Sequence, residues 1–140
     1  MPRSMMRNWS GNAYENSDRY IQFKIRRCNC SQIGNLIASM TKNPVLFDFS
    51  EFDVHPCGRC ASECFAAREN CPYFEDKEHE ILEAIMHSEM VYFVLPNYCD
   101  YPCANYFIFN ERSQCFFQRK PDLLEAYLTI PKRSIVIMSE

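Results

Sequence analysis

Cys57, Cys60, Cys64 and Cys71 stand in one short segment with the spacing C-x2-C-x3-C-x6-C. A thiolate quartet this compact has the reach to wrap a single metal centre. Zinc takes four thiolates as a tetrahedron, and a four-iron cluster also takes four Cys at short spacings. Pro72 after the last Cys is similar to the Cys-Pro ending of ferredoxin runs. The competing reading is a set of reduced, half-buried thiols with no ligand, and both stay open on spacing alone. His55 lies close enough in sequence to substitute for one thiol, while His79 and His87 fall on an acidic stretch and read as surface residues. Cys99 and Cys103 fall one helical turn apart, as redox partners or as small buried hydrophobes. No Ser-His-Asp set, Cys-His set or carboxylate pair stands out.

These residues need elements to position them. Residues 1 to 18 are largely polar, with Asn, Ser, Gly and one Trp, and read as an N-terminal arm, leaving 19–140 as one domain. Tyr20 to Ile25 reads as a strand. Ile33, Leu36, Ile37 and Met40 recur at helical spacing, so Ser31 to Lys42 is expected as a helix with Ser31 as its N-cap. Val45 to Phe49 is a second strand, and the Cys segment follows it. Glu75 to Ser88 carries Ile81, Leu82, Ile85 and Met86 as an apolar stripe, with acids crowding its first turns as the helix dipole favours. Met90 to Leu95 is continuously apolar, the pattern of a strand covered on both faces, and Pro96 is expected to end it. Cys103 to Phe117 reads as helical, Pro121 to Thr129 as a short helix opened by its proline, and Ser134 to Met138 as a last strand. Strands alternating with helices predict an α/β fold with a parallel sheet and right-handed crossovers. The last strand would lack the fifth strand and closing helix of a full doubly wound sheet, so a shortened fold is expected.

Composition narrows the function classes. Of 140 residues, 47% are hydrophobic and 24% charged, which excludes a disordered or fibrous chain. The net charge of −3 argues against nucleic-acid binding by bulk electrostatics. Three glycines leave little room for a glycine-rich phosphate loop. Nine cysteines, an odd number, with no apolar signal segment behind Met1-Pro2-Arg3, point to a reducing cytoplasm, where clustered thiols serve metal or redox work. No run reaches the length of a membrane span, so no membrane role is expected.

The chain resembles the flavodoxin-like superfamily, and more narrowly the NADPH-dependent FMN reductase and iron–sulfur flavoprotein branch. The order of elements matches that fold up to its fourth strand, a three-layer α/β/α arrangement around an open parallel sheet. Phe52-Asp53-Val54-His55-Pro56-Cys57-Gly58-Arg59-Cys60 is similar to a family segment placed after the second strand, followed by a later Cys and an acidic helix start such as Glu75-Asp76-Lys77. Val94-Leu95-Pro96-Asn97-Tyr98 resembles the family's strand ending in Pro-x-Tyr, and Phe109-Asn110-Glu111-Arg112 its Phe-x-Asp-Arg helix segment. The resemblance covers roughly residues 20 to 138.

The resemblance implies FMN as cofactor, NAD(P)H as co-substrate, a redox partner or small-molecule acceptor, and a homodimer. The dense aromatics Tyr101, Tyr106, Phe107, Phe109, Phe116 and Phe117 suit core or such an interface. It also implies that Cys57, Cys60, Cys64 and Cys71 hold a [4Fe-4S] cluster or zinc. In such sheets ligands sit at the carboxyl ends of strands where the strand order reverses. The FMN phosphate is then expected near Arg27, Asn29, Ser31 and Gln32, at a helix N-terminus. The isoalloxazine edge is expected along Pro96, Asn97, Tyr98 and Cys99, with Tyr98 as a stacking partner. Arg26 and Arg27 suit a phosphate or simply a solvated strand end. The first loop, Ile25 to Ser31, has Cys28 and Cys30 where the family has glycine and small polar residues. That difference favours a second reading: a flavin-free α/β module whose cysteines bind zinc or iron–sulfur and which serves as a binding or assembly partner.

Overall fold

The apolar run at 90–95 becomes the middle of β3 (Ser88–Tyr98), with Val91, Val94 and Leu95 at 3% exposure or less. A strand hidden on both faces must lie inside a sheet, and β3 does. β1 (Ser17–Gln22) pairs with it in parallel on one edge, through Tyr20↔Tyr92 and Gln22↔Val94. β5 (Lys132–Met138) pairs with it in parallel on the other, through Phe93↔Ser134 and Asn97↔Met138. β2 (Val45–Asp48) pairs in parallel with the far edge of β1. The parallel strands therefore run β2-β1-β3-β5, and a two-residue strand β4 (Tyr101–Pro102) adds an antiparallel pair to the end of β3, making the sheet mixed. The computed structural model describes residues 17–22, 29–58 and 61–138. Most of the arm, Trp9 included, lies outside the described residues, as do Arg26, Arg27, Cys28 and Cys60; residues 17 and 18 open β1 rather than closing the arm.

The helices are α1 (Asn29–Ser39), α2 (Glu78–Met86), α3 (Ala104–Phe117) and α4 (Pro121–Thr129). β1 to β2 and β2 to β3 run in opposite directions across the sheet. Right-handed crossovers then put α1 and α2 on opposite faces. The contacts agree: α1 packs on β1, β2 and β3, whereas α2, α3 and α4 pack on one another and α2 also on β3. The larger core lies on the second face. It joins Ile21, Phe47, Val91, Phe93 and Leu95 to Ile81, Leu82 and Ile85 of α2 and to Phe109 and Phe116 of α3.

Several boundaries differ from expectation for physical reasons. Helix α1 starts at Asn29, so Ser31 lies in its first turn and is not the N-cap. Helix α2 starts at Glu78, because Tyr73 to Asp76 are drawn into turns and the Asp76 carboxylate accepts the Glu78 N–H at 3.3 Å. Pro96 does not stop β3. The Val91 N–H donates to the carbonyl of Pro131, the residue before β5. N–H groups alternate edges along a strand, so the missing donor of Pro96 falls on the β1 side. There the last described β1 pair is Gln22↔Val94, two residues before Pro96, and a strand keeps a proline most readily at such an edge.

Candidate functional site

Two places carry the residues singled out by sequence. The first is the carboxyl edge of the sheet between β1 and β3. Asn29 and Gln32 are exposed and Ser31 half-buried in the first turn of α1, and that turn contains no acidic residue. A helix N-terminus whose first turn carries no carboxylate favours an anion through the helix dipole. At the end of β3, Pro96 is buried within the strand and contributes no polar group. Asn97 is turned toward β5, its Nδ2 lying 3.1 Å from Met138 Sδ. Tyr98 is 47% exposed and Cys99 exposed.

The chain then reverses in two residues. Tyr98 pairs with Tyr101, and both central residues, Cys99 and Asp100, adopt positive φ, 50° and 66°. This is the backbone of a type I′ hairpin, which glycine and asparagine adopt most readily. Since β5 holds one edge of β3 as far as Asn97, Pro102 opposite Asn97 must lie on the other edge, beyond the end of β1. The hairpin therefore adds to the edge of β3 that β1 occupies earlier along the strand. It also separates Cys99 from Cys103: the first is in the turn, the second is buried as N-cap of α3, and they are not a helical pair. Burial pushes the Cys103 thiol pKa up.

The second place is the Cys segment, clamped against α3. Arg112, 2% exposed, donates from Nη1 to Asp76 Oδ2 at 2.7 Å and to the His55 carbonyl at 2.8 Å. From Nη2 it donates to the Tyr73 carbonyl at 3.1 Å and to Asp76 Oδ1 at 3.2 Å. One guanidinium thus holds both ends of the segment. Burial alone would lower the Arg112 pKa, but the bonded Asp76 and nearby Glu78 hold it above its ordinary value. His55 is not turned to the thiols: it stacks on Tyr73 at 4.6 Å, with Nδ1 3.6 Å from Asp76. His79, expected on the surface, is half-buried between Phe74 and Phe116 and bonded to Glu83. Burial and the Arg68 charge push its pKa down to about 4.

Beneath the clamp lies Glu78, 2% exposed, 3.6 Å from Arg68 and 3.9 Å from Arg112. Its Oε1 has no hydrogen-bond partner. Burial outweighs both cations and pushes its pKa up to about 7.

The thiols themselves are arranged in a way the spacing did not foretell. Cys64 Sγ lies 2.8 Å from Cys115 Sγ on α3. Burial raises the Cys115 thiol well above the usual range, and its bond to Cys64 and the neighbouring Cys57 and Cys71 add to that. Cys57 is half-buried, with Gln114 Nε2 3.8 Å from its sulfur. Among the described residues no group of three or more His, Cys, Asp or Glu is arranged to hold a metal ion, and Cys60 lies outside them. Sequence reasoning missed Cys115 because 44 residues separate it from Cys71. Its signal was its position three residues after Arg112, which puts both on one helix face.

No protein-family model matches this chain, and no curated protein matches it significantly. Among the described residues no helix is long and apolar enough to cross a membrane.

Proposed function

We propose that this chain is an FMN-binding redox protein of flavodoxin-like architecture, acting in NAD(P)H-linked flavin reduction or electron transfer in the cytoplasm. The observation that carries this reading is the strand order β2-β1-β3-β5 in parallel, with its reversal between β1 and β3. Open α/β sheets bind ligands at that reversal, beyond the carboxyl ends of the strands. Here that edge carries the acid-free first turn of α1 and the exposed Tyr98 and Cys99.

The bound flavin would supply the hydride and electron chemistry. The chain's own residues bind and orient. Asn29, Ser31 and Gln32, with the α1 N–H groups, hold the phosphate, and the positive end of the helix dipole offsets its charge. Tyr98 offers a ring face beside the ring system, and the strained Cys99-Asp100 turn fixes the wall of the crevice. Asn97 positions the end of β3 through β5 rather than touching the flavin. The Arg112 clamp to Asp76 joins the two sequence segments that carry the resemblance, the acidic helix start and the Phe-x-x-Arg stretch. That is a reason for those residue types to occur together. Cys57, Cys60, Cys64 and Cys71 remain the set a cluster or zinc would take; no step is assigned to it. A homodimer and a soluble electron acceptor are part of the same proposal.

The test is the visible spectrum of protein purified without oxygen, with flavin and metal released by acid and quantified. Flavin absorption with stoichiometric released FMN is the expected result. A colourless protein that takes up no added FMN overturns the reading, and zinc or iron in that sample would favour the flavin-free binding module.

A further inference from the structure

Cys64 and Cys115 come from segments 51 residues apart, yet their sulfurs are 2.8 Å apart. They line an open cleft of about 310 Å³ whose other walls include Arg68, Glu69, Arg119 and Lys120. Two adjacent, largely buried thiols thus stand at the wall of a cleft with three cations and one acid. Cys115 lies eleven residues into α3, about 17 Å of helix beyond Ala104 at the flavin edge. The cleft is therefore separate from the proposed FMN crevice. Arg68 is partly committed, 3.6 Å from Glu78 and stacked 4.6 Å over Phe116. Arg119 and Lys120 are exposed on the loop after α3, and Arg119 holds a left-handed φ of 58° that turns this loop back at the rim.

We propose that Cys64 and Cys115 form a redox-active dithiol that reduces an anionic low-molecular-weight disulfide bound in this cleft. The Cys64 thiolate attacks one sulfur of the disulfide. A Cys64–substrate mixed disulfide forms, the substrate S–S bond breaks, and the first substrate thiolate leaves. Cys115 then gives its proton to water or to the departing thiolate and attacks Cys64 Sγ. The mixed disulfide breaks, the Cys64–Cys115 disulfide forms, and the second substrate thiolate leaves. Two electrons pass from the two protein thiols to the substrate and two thiols are released, so this single oxidation of the dithiol balances with no other oxidant or reductant. Geometry assigns the order: Cys64 lies in the short turn at 63–65 of the loop segment, whereas Cys115 is fixed inside α3, so Cys64 attacks and Cys115 resolves. Arg119 and Lys120 would raise the local concentration of a carboxylate-bearing disulfide.

The experiment uses the full chain, reduced and freed of reductant, with oxidised glutathione as probe. After acid quench, free thiols are alkylated and peptides mapped by mass spectrometry. The wild type is expected to yield a Cys64–Cys115 cross-link with release of two equivalents of glutathione. Cys115→Ser should stop at glutathione on Cys64, and Cys64→Ser should leave Cys115 unmodified. Cationic cystamine should react at least about tenfold more slowly than oxidised glutathione, and Arg119→Ala with Lys120→Ala should remove most of that preference. The wild-type map stands even if a variant folds poorly. A cross-link between other cysteines, no cross-link, or a metal held by Cys64 that blocks exchange overturns the proposal. Because the readout is a thiol map, it is distinguishable from any failure to bind FMN.

Discussion

Arg112 gives the account its sharpest residue-scale statement. It is an aliphatic stem with a planar fork that meets one carboxylate and two carbonyls, and it is almost wholly buried. Removing one partner of a buried pair strands the other. Arg112→Ala should lose about 3–5 kcal/mol in denaturant unfolding, and Arg112→Lys should lose most of that, because an ammonium cannot make the forked contacts. A loss under about 0.5 kcal/mol, as at an ordinary surface site, would mean the clamp is not formed. Glu78 and His79 make a paired prediction in pH. The folded pKa of Glu78 is raised from 4.5 to about 7. Its contribution is therefore fully present below 4.5 and is lost as pH rises through 7. His79 is lowered from 6.5 to about 4, so its contribution is present above 6.5 and is lost as pH falls through 4. The two oppose each other between pH 4.5 and 6.5. Glu78→Gln should therefore expose a stability that only falls on acidification in that window. It should also gain stability relative to wild type as the pH rises through 7. Unfolding curves at several pH values check both, and parallel wild-type and variant profiles would contradict the assignment.

At the scale of elements, the hairpin between β3 and β4 is the informative piece. Neither Cys99 nor Asp100 is a glycine, yet both sit at positive φ, at a cost of about 1–2 kcal/mol per L-residue. Asp100→Gly should therefore leave the melting temperature unchanged or raise it. Cys99→Val, which puts a branched side chain at φ 50°, should lower stability by about 1–3 kcal/mol and weaken FMN uptake along with it. A Cys99→Val protein with unchanged melting and FMN uptake would show that the turn does not shape the crevice. The same region shows what was legible in the sequence. Helix α4 runs Pro121–Thr129 as the sequence predicts, because proline suits only the first helical turn. β2 and β5 were recognisable from their apolar runs. The extension of β3 through Pro96 was not, because a proline's fit depends on which edge its nitrogen faces, and that is decided by the neighbouring strand. Helix α3 buries Phe109, Arg112 and Phe116 on one stripe, and an arginine in a buried stripe hides the amphipathic pattern that would have shown which side faces inward. The Cys64–Cys115 pair was illegible for a related reason: local spacing finds quartets within a loop, whereas this contact is made only when the loop is clamped onto a distant helix.

At the scale of the whole molecule, the proposed FMN site and the proposed dithiol lie in different parts of the fold. The proposed flavin site lies at the β1–β3 reversal beside the first turn of α1, and the thiol cleft is formed by the Cys segment and the far end of α3. The element order was readable from the alternation of strand-like and helix-like runs; the strand order was not, and once it is known, right-handed crossovers fix the helix faces. The central claim is that the crevice holds FMN by its phosphate. Its most direct measurement is a titration of flavin fluorescence under anaerobic conditions, comparing FMN with riboflavin, which lacks the phosphate. The account predicts saturable, stoichiometric FMN binding, with riboflavin weaker by at least about tenfold, the order expected for losing one charge-assisted phosphate contact set. Failure to bind either flavin, or equal binding of both, would contradict it.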